Sequence, residues 1–288
     1  MLMVYPLMKF VERIFNKISY ANFIRLLSKE RINQTSNPDI IVSFTTIPSR
    51  VHTVWKTVVS LKRQILLPGK IILWISEEEL KLDDLPKELT DLEDDFFEIR
   101  MVKDNLRSHK KYYYAFKEFR DKIIITVDDD FYYHKETVKK LLDSYMENPG
   151  KIISNRTRKI KYEKKTLLSY KEWNVNTDRN DNKNLLQIGV DGVLYPIEIN
   201  RDKFINKDLF MDLSPFADDI WLNAISRKEG IEVIWTGNRL RNIPIVKSTH
   251  SLEELNVGKG LNDIQIKRIR EYFLMTDGLD LYEEIVDD

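Results

Sequence analysis

From Asp39 onward, short unbroken apolar runs alternate with longer stretches in which apolar residues recur every three or four positions. "DIIVSFTTI" (39–47), "GKIILWIS" (69–76), "FFEIRMV" (96–102) and "KIIITV" (122–127) are β-branched or aromatic runs bounded by turn residues. Such runs predict strands buried on both faces. Between them, Val51, Val54, Val58 and Leu61 share one helical stripe, and "HKKYYYAFKEF" (109–119) has helical spacing. Strand, helix, strand in this order predicts parallel pairing with right-handed crossovers. Ligands of such sheets sit beyond the carboxyl ends of the strands, so the chemistry is expected just after Ile47, Ile75, Val102 and Val127.

The second half is less regular. "KETVKKLLDSYMENPG" (135–150) reads as a helix stopped by Pro149 and Gly150, followed by a polar, basic stretch to about Asn184. "LLQIGVDGVLYPIEI" (185–199) reads as strand and turn, "ADDIWLNAISRKEG" (217–230) as a helix, and "IEVIWTG" (231–237) as a late strand. At the other end, Val4, Leu7, Met8, Val11, Ile14, Phe15 and Ile18 form one stripe, predicting an amphipathic helix within residues 1–32. Charges interrupt it and no small-residue cleavage site follows, unlike a secretory signal. It either packs on the domain or lies on an anionic membrane face. Asn33 to Pro38 reads as a polar linker, residues 39–275 as one α/β domain with a mostly parallel central sheet, and 276–288 as an acidic tail.

Composition narrows the function. The 288 residues include 46 Lys+Arg, 46 Asp+Glu and no Cys. Zero net charge argues against a general nucleic-acid binder. Lack of Cys excludes disulfides and thiolate metal sites and fits a reducing cytosol. No apolar run reaches the 18 residues of a membrane span. Charge is nevertheless unevenly placed: residues 77–98 hold eleven acids against two lysines, and 151–171 hold eight basic residues against Glu163. The second block either faces a phosphorylated, lipid-linked acceptor at the inner leaflet or is a solvated loop.

Two motifs carry candidate chemistry. In "IIITVDDDFYY", three aspartates follow a buried strand, an arrangement that is costly without a positive partner. Alternation along an extended chain puts Asp128 and Asp130 on one side and Asp129 on the other. Oxygen ligands of this kind suit Mg²⁺ or Mn²⁺; the bland alternative, a helix cap, needs only one of them. In "SPFADDIWLNAISRKEG", Asp218 and Asp219 open a helix; one could cap it, which leaves the other to serve as a general base.

Together these segments resemble a nucleotide-sugar glycosyltransferase of the GT-A (Rossmann-like) fold, specifically the bacterial family-2 type of surface polysaccharide assembly. The resemblance covers roughly residues 39–275. "VSFTTIPSRVHTVWKTVVSLKRQ" resembles the opening strand and helix that contact the nucleotide, which implies Thr45, Thr46, Pro48 and Arg50 as donor contacts. "VDDDF" matches the DxD motif, implying Asp128 and Asp129 for the donor and Asp130 with Asp128 for the metal. "GVDGVLYP" resembles the loop flanking the donor sugar, with Gly189 and Gly192. "ADDIWL" resembles the segment that supplies the base, Asp219, with Asp218 where Glu is usual. "SEEEL" replaces the common Asp-Gly-Ser after the second strand, so nucleotide recognition is expected of Asp104, Lys110 and Lys111.

The resemblance implies metal-dependent transfer from a nucleoside-diphosphate sugar, with a UDP-sugar as first choice, to a hydroxyl of a glycan or lipid-linked glycan, with inversion. A retaining enzyme would use His250 in "STHSLEEL" as a third metal ligand. A non-catalytic sugar-binding protein is the competing class, and intact Asp128, Asp130 and Asp219 argue against it. Phosphoryl transfer is disfavoured because no Walker-type glycine loop occurs. The expected location is the cytoplasm, with peripheral contact at the inner membrane surface.

Overall fold

The apolar runs lie side by side in one sheet. In the computed structural model, which describes residues 22, 32–178, 181–238, 240–245 and 260–285, β1 (Thr35–Thr45), β2 (Leu66–Ser76), β3 (Phe97–Val102) and β4 (Ile123–Thr126) run parallel. Within the sheet their order is β3-β2-β1-β4. Alternation along β1 divides the core. Ile40, Val42 and Phe44 join the layer of α1 (Trp55–Leu61), α2 (Lys87–Thr90) and α4 (Thr137–Glu147). Ile41 joins the opposite layer of α3 (Lys110–Glu118), α6 (Asp218–Lys228) and α7 (Leu261–Asp277). The sheet continues past β4 through β11 (Val193–Tyr195), β6 (Ile152–Ser154) and β12 (Val233–Trp235). β11 is antiparallel to both neighbours, so the sheet is mostly but not wholly parallel.

This order has one decisive consequence. β2 and β3 extend the sheet on one side of β1 and β4 on the other, so the strand order reverses between β1 and β4. A crevice opens at the carboxyl ends of such a pair. There lie Thr45 and Thr46 from one strand and the aspartate triplet from the other.

Several expectations need correction. Residues 33–38 are no linker: Thr35–Asn37 pair with Leu66–Pro68, and the register shifts between Asn37 and Ile41. Polar side chains exposed beside the sheet leave the backbone free to pair. At this crossing a Cβ on Gly69 would stand 2.5 Å from the Pro38 carbonyl oxygen, so only glycine fits. Regular helix in the 51–64 stretch is confined to Trp55–Leu61, after turns. The basic stretch contains β6, buried in the main sheet, then β7 (Thr157–Lys159), β8 (Tyr162–Glu163) and β9 (Thr166–Leu167). β7 pairs with β10 (Leu185–Gln187) and β8 with β9, while β5 (Phe131–Tyr132) and the helix α5 (Lys207–Leu213) lie outside the main sheet. The acidic end is also no loose tail as far as Tyr282. Asp277 closes α7, Asp280 pairs with Arg270 at 2.6 Å, and buried Tyr282 donates to the Ile220 carbonyl at 3.0 Å. Asp263, in the first turn of α7, accepts from the Tyr170 amide at 2.7 Å and ties that helix to the end of the basic stretch. The N-terminal helix and His250 fall outside the described residues.

Candidate active site

β4 ends at Thr126, and the chain turns at Asp129 and Asp130, which breaks the extended alternation expected of the triplet. Asp128 and Asp129 do separate, but Asp130 comes to the same guanidinium as Asp129. Arg50 Nη1 stands 2.6 Å from Asp129 Oδ1 and 3.3 Å from Asp130 Oδ2. Asp129 is buried and also accepts from Thr46 Oγ1 at 2.6 Å. Its carbonyl accepts from Thr57 Oγ1 at 2.8 Å. Asp129 therefore clamps the β1–α1 loop to the end of β4, and its carboxylate faces protein on both oxygens. Burial pushes its pKa up, against the pull of Arg50. Asp130 is raised to about 7 by burial, opposed by Arg50, with the charges of Asp128 and Asp129 adding to the rise.

Asp128 belongs to a second cluster. Lys111, on the first turn of α3, places Nζ 2.8 Å from Asp128 Oδ1 and 2.9 Å from Asp218 Oδ2. Its side chain is only 5% exposed, and α3 is held over the sheet by Ser43 Oγ donating to the Lys111 carbonyl. Neither Asp218 nor Asp219 caps α6; the N-cap is Ala217, which makes no side-chain cap bond. Both sit in the first turn, where the helix dipole favours carboxylates. Asp219 Oδ2 accepts from the Gly189 amide at 3.1 Å. A Cβ on Gly189 would stand 2.7 Å from Lys111 Nζ and 3.3 Å from both Asp128 Oδ1 and Asp219 Oδ1. Glycine is thus the residue that lets the loop approach the charges of all three. Burial and the negative charge of Asp218 push Asp219 up to about 8, against the pull of Lys111.

The loop carrying Gly189 is fastened at every residue. The Tyr133 hydroxyl accepts from the Asp128 amide at 2.8 Å and lies 3.1 Å from the Val190 carbonyl oxygen. Buried Asp191 takes Arg156 Nε at 2.6 Å and Asn242 Nδ2 at 2.7 Å. The Asp191 carbonyl accepts from Asn155 Nδ2 at 3.0 Å. Gly192 has φ +97°, a conformation that favours glycine. Tyr133, Thr57, Asp191 and Arg156 were not singled out from the sequence. Their roles depend on contacts across more than thirty positions, and only the Gly-Val-Asp-Gly spacing hints at one of them.

Other expected donor contacts lie elsewhere. Lys110 is fully buried with its ammonium on Glu79, so it is no free point charge for a diphosphate. Asp104 takes Lys207 at 2.7 Å. Thr45 Oγ1 donates to the Trp74 carbonyl at 2.8 Å, and Pro48 is exposed in the turn after β1. Lys111, too, has its charge engaged by two carboxylates.

A divalent cation can be weighed against this donor set. Asp128 and Asp130 keep 33% and 21% of their side-chain surface open, and their oxygens are the hard donors that Mg²⁺ and Mn²⁺ prefer. Among the described residues no three His, Asp or Glu side chains converge on one point. Each carboxylate already has a cation, Lys111 for Asp128 and Arg50 for Asp130, but the open oxygen surface of either suits an ion completed by substrate phosphate and water.

The sequence profile of Glycosyl transferase family 2 matches residues 40–212, more than half of the chain. The chain belongs to glycosyl transferase family 2. Its central sheet and helices form the GT-A fold of that family, and both aspartate clusters are built on it. Residues 1–349 of S. aureus TarS, solved with UDP, superpose with a TM-score of 0.51 at 14% identity, covering 83% of this chain and 66% of that one. A mannosyltransferase from Pyrobaculum calidifontis, solved with GDP-Man and Mn²⁺, gives a TM-score of 0.51 at 10% identity, covering 95% of this chain and 75% of that one. A comparison with curated proteins finds no match.

Proposed function

We propose that the protein transfers a sugar from a nucleoside-diphosphate donor, a UDP-sugar by first choice, to a hydroxyl of a glycan or lipid-linked glycan, with inversion. The observation that carries this reading is the division of labour between Asp218 and Asp219. Lys111 engages Asp218, whereas Asp219 is held by one amide and keeps Oδ1 beside the glycine loop that borders the aspartate triplet. A carboxylate fixed in orientation and raised to about 8 by burial is a stronger base than an exposed aspartate. In the transfer, the acceptor O–H bond breaks and its proton passes to Asp219. The freed oxygen bonds to the anomeric carbon as the bond from that carbon to the diphosphate oxygen breaks, and the leaving diphosphate keeps the electron pair. Attack opposite the leaving group inverts the centre.

Asp130 and Asp128 are the residues that would hold Mn²⁺ or Mg²⁺. When bound, the ion supplies charge neutralisation to the diphosphate. The chain's own part is positional: Arg50 and Thr46 fix the loop after β1, and Tyr133 joins the aspartate triplet to the glycine loop. UDP in TarS and GDP-Man with Mn²⁺ in the mannosyltransferase support this donor class and ion. A thermal-shift screen of UDP-, GDP- and dTDP-sugars, with and without Mn²⁺, tests it. One donor should raise the melting temperature selectively and more so with Mn²⁺; no response to any donor would contradict the reading.

A role in surface polysaccharide assembly, a cytoplasmic location and peripheral membrane contact through residues 1–31 and the basic block 151–171 are part of the same proposal. No helix among the described residues is long and apolar enough to cross a membrane. Deleting residues 1–31 should lower co-sedimentation with anionic liposomes, and unchanged sedimentation would remove that segment from the proposal.

A further inference from the structure

The cations named around the crevice are almost all engaged. Arg50 serves Asp129 and Asp130, Lys111 serves Asp128 and Asp218, and Lys110 serves Glu79. Lys207 serves Asp104 and Arg156 serves Asp191. A diphosphate-bearing substrate entering beside these aspartates needs positive charge that is not already neutralised. Arg107 has it. Among the described residues no carboxylate or carbonyl lies within hydrogen-bonding reach of its guanidinium, which is partly exposed.

Arg107 is also held in place. Its guanidinium carbon stacks 3.8 Å from the centroid of the Phe216 ring. This is one of three contacts between the start of α3 and the segment entering α6. In the next, His109 Nε2–H donates to the Ser214 carbonyl at 2.8 Å, and in the third Lys111 meets Asp218. Phe216 precedes Asp218 by two residues and Asp219 by three, so the Arg107 fork rests on the segment that leads into both carboxylates. Stacking on one face leaves the edge N–H groups free to bind oxygen in a bidentate manner.

The backbone supplies an independent observation. Arg107 has φ 54°, the left-handed region that glycine and asparagine occupy readily and arginine does not. Its amide donates to Asn105 Oδ1 at 3.0 Å, which closes the turn without any need for an arginine side chain. A strained backbone that carries a long, stacked, unpaired cation points to a use for the side chain.

We propose that Arg107, stacked on Phe216, is a phosphate-binding residue of this site, taking a phosphate group of the donor or of a lipid-linked acceptor. The inference rests on the transferase reading above. The test uses Arg107→Asn and Arg107→Gly in the full chain, both of which suit the left-handed turn. Each variant and the wild type are titrated calorimetrically, with Mn²⁺ present, against UDP, GDP, dTDP and farnesyl diphosphate, and their melting temperatures are measured.

Both variants should melt at or above the wild-type temperature and lose at least about tenfold in affinity for one ligand class, as expected when a charge-assisted hydrogen bond is removed. Loss toward a nucleoside diphosphate assigns the group to the donor, and loss toward farnesyl diphosphate assigns it to the acceptor. Unchanged affinity for every ligand that the wild type binds overturns the inference alone. A lower melting temperature with unchanged affinities does the same, by making the stack a scaffold contact. If the wild type binds none of the four, the transferase reading fails and this inference falls with it.

Discussion

Asp219 and Lys111 show how burial and partner charge divide roles among similar side chains. Asp219 works as a base only when ionised. With its pKa raised to about 8, the ionised fraction grows as pH rises through that value. Below it, kcat/KM should rise up to about tenfold per pH unit and then level off above pH 8. A rate that is flat between pH 6 and 9 would mean that another group takes the proton. Lys111 has the opposite relation to its surroundings: burial disfavours its charge, but Asp128, Asp218 and Asp219 together raise its pKa well above the ordinary lysine value. Replacing it by Met would leave Asp218, 8% exposed, without a cation. Breaking a buried pair in this way costs about 3–5 kcal/mol, so Lys111→Met should show a marked drop in chemical-denaturation stability. The double variant with Asp218→Asn should recover part of the loss, and full additivity of the two would count against the pair.

At the scale of elements, the loop 189–192 and the end of β4 act as one piece because Tyr133 joins them. Its hydroxyl is buried and meets the Asp128 amide as well as the Val190 carbonyl. Tyr133→Phe keeps the ring but leaves the amide without its partner, at a cost of about 1–3 kcal/mol. Because the loop also depends on Asp191 with Arg156 and Asn242, the fold should survive. The expected result is a modest loss of stability together with faster amide exchange confined to residues 128–130 and 189–192. Uniform acceleration over the whole sheet would contradict the idea of a local joint. The strands and main helices of this half-site were legible in the sequence, because buried parallel strands are written as continuous apolar runs. The joints were not, since a tyrosine's partners are set by where the chain returns.

Across the whole molecule, legibility followed the same division. The order β1, β2, β3, β4 and the position of the triplet at the last of these follow from apolar runs and their spacing. The antiparallel β11, the strand within polar residues 35–37 and the return of Tyr282 to α6 do not, because each relies on backbone pairing or a single buried ring. Asp128, Asp130 and the pair Asp218 and Asp219 stand out by type and position, because carboxylates after a buried strand or at a helix start are conspicuous; the choice of Asp219 within the pair comes from the family resemblance. Lys110 and Lys111 are expected from the sequence to meet the nucleotide, yet the fold turns both inward to carboxylates that the sequence places 31 and 107 positions away. Chain-wide charge neutrality is thus partly the sum of internal pairs, and Arg107, stacked on Phe216, is conspicuous as a cation outside that pattern.

The measurement that bears most directly on the account compares donor binding and sugar transfer in the wild type and in Asp219→Asn, with Mn²⁺ and the donor selected by thermal shift. The amide keeps the size of the carboxylate, and its oxygen can still accept from Gly189, but it cannot take a proton. Donor affinity should stay within about twofold, while transfer falls by about 10²–10⁴-fold, the range for loss of a general base. Transfer near the wild-type rate in Asp219→Asn, or its loss in Asp218→Asn with donor binding intact, would contradict the assignment of Asp219 as the base.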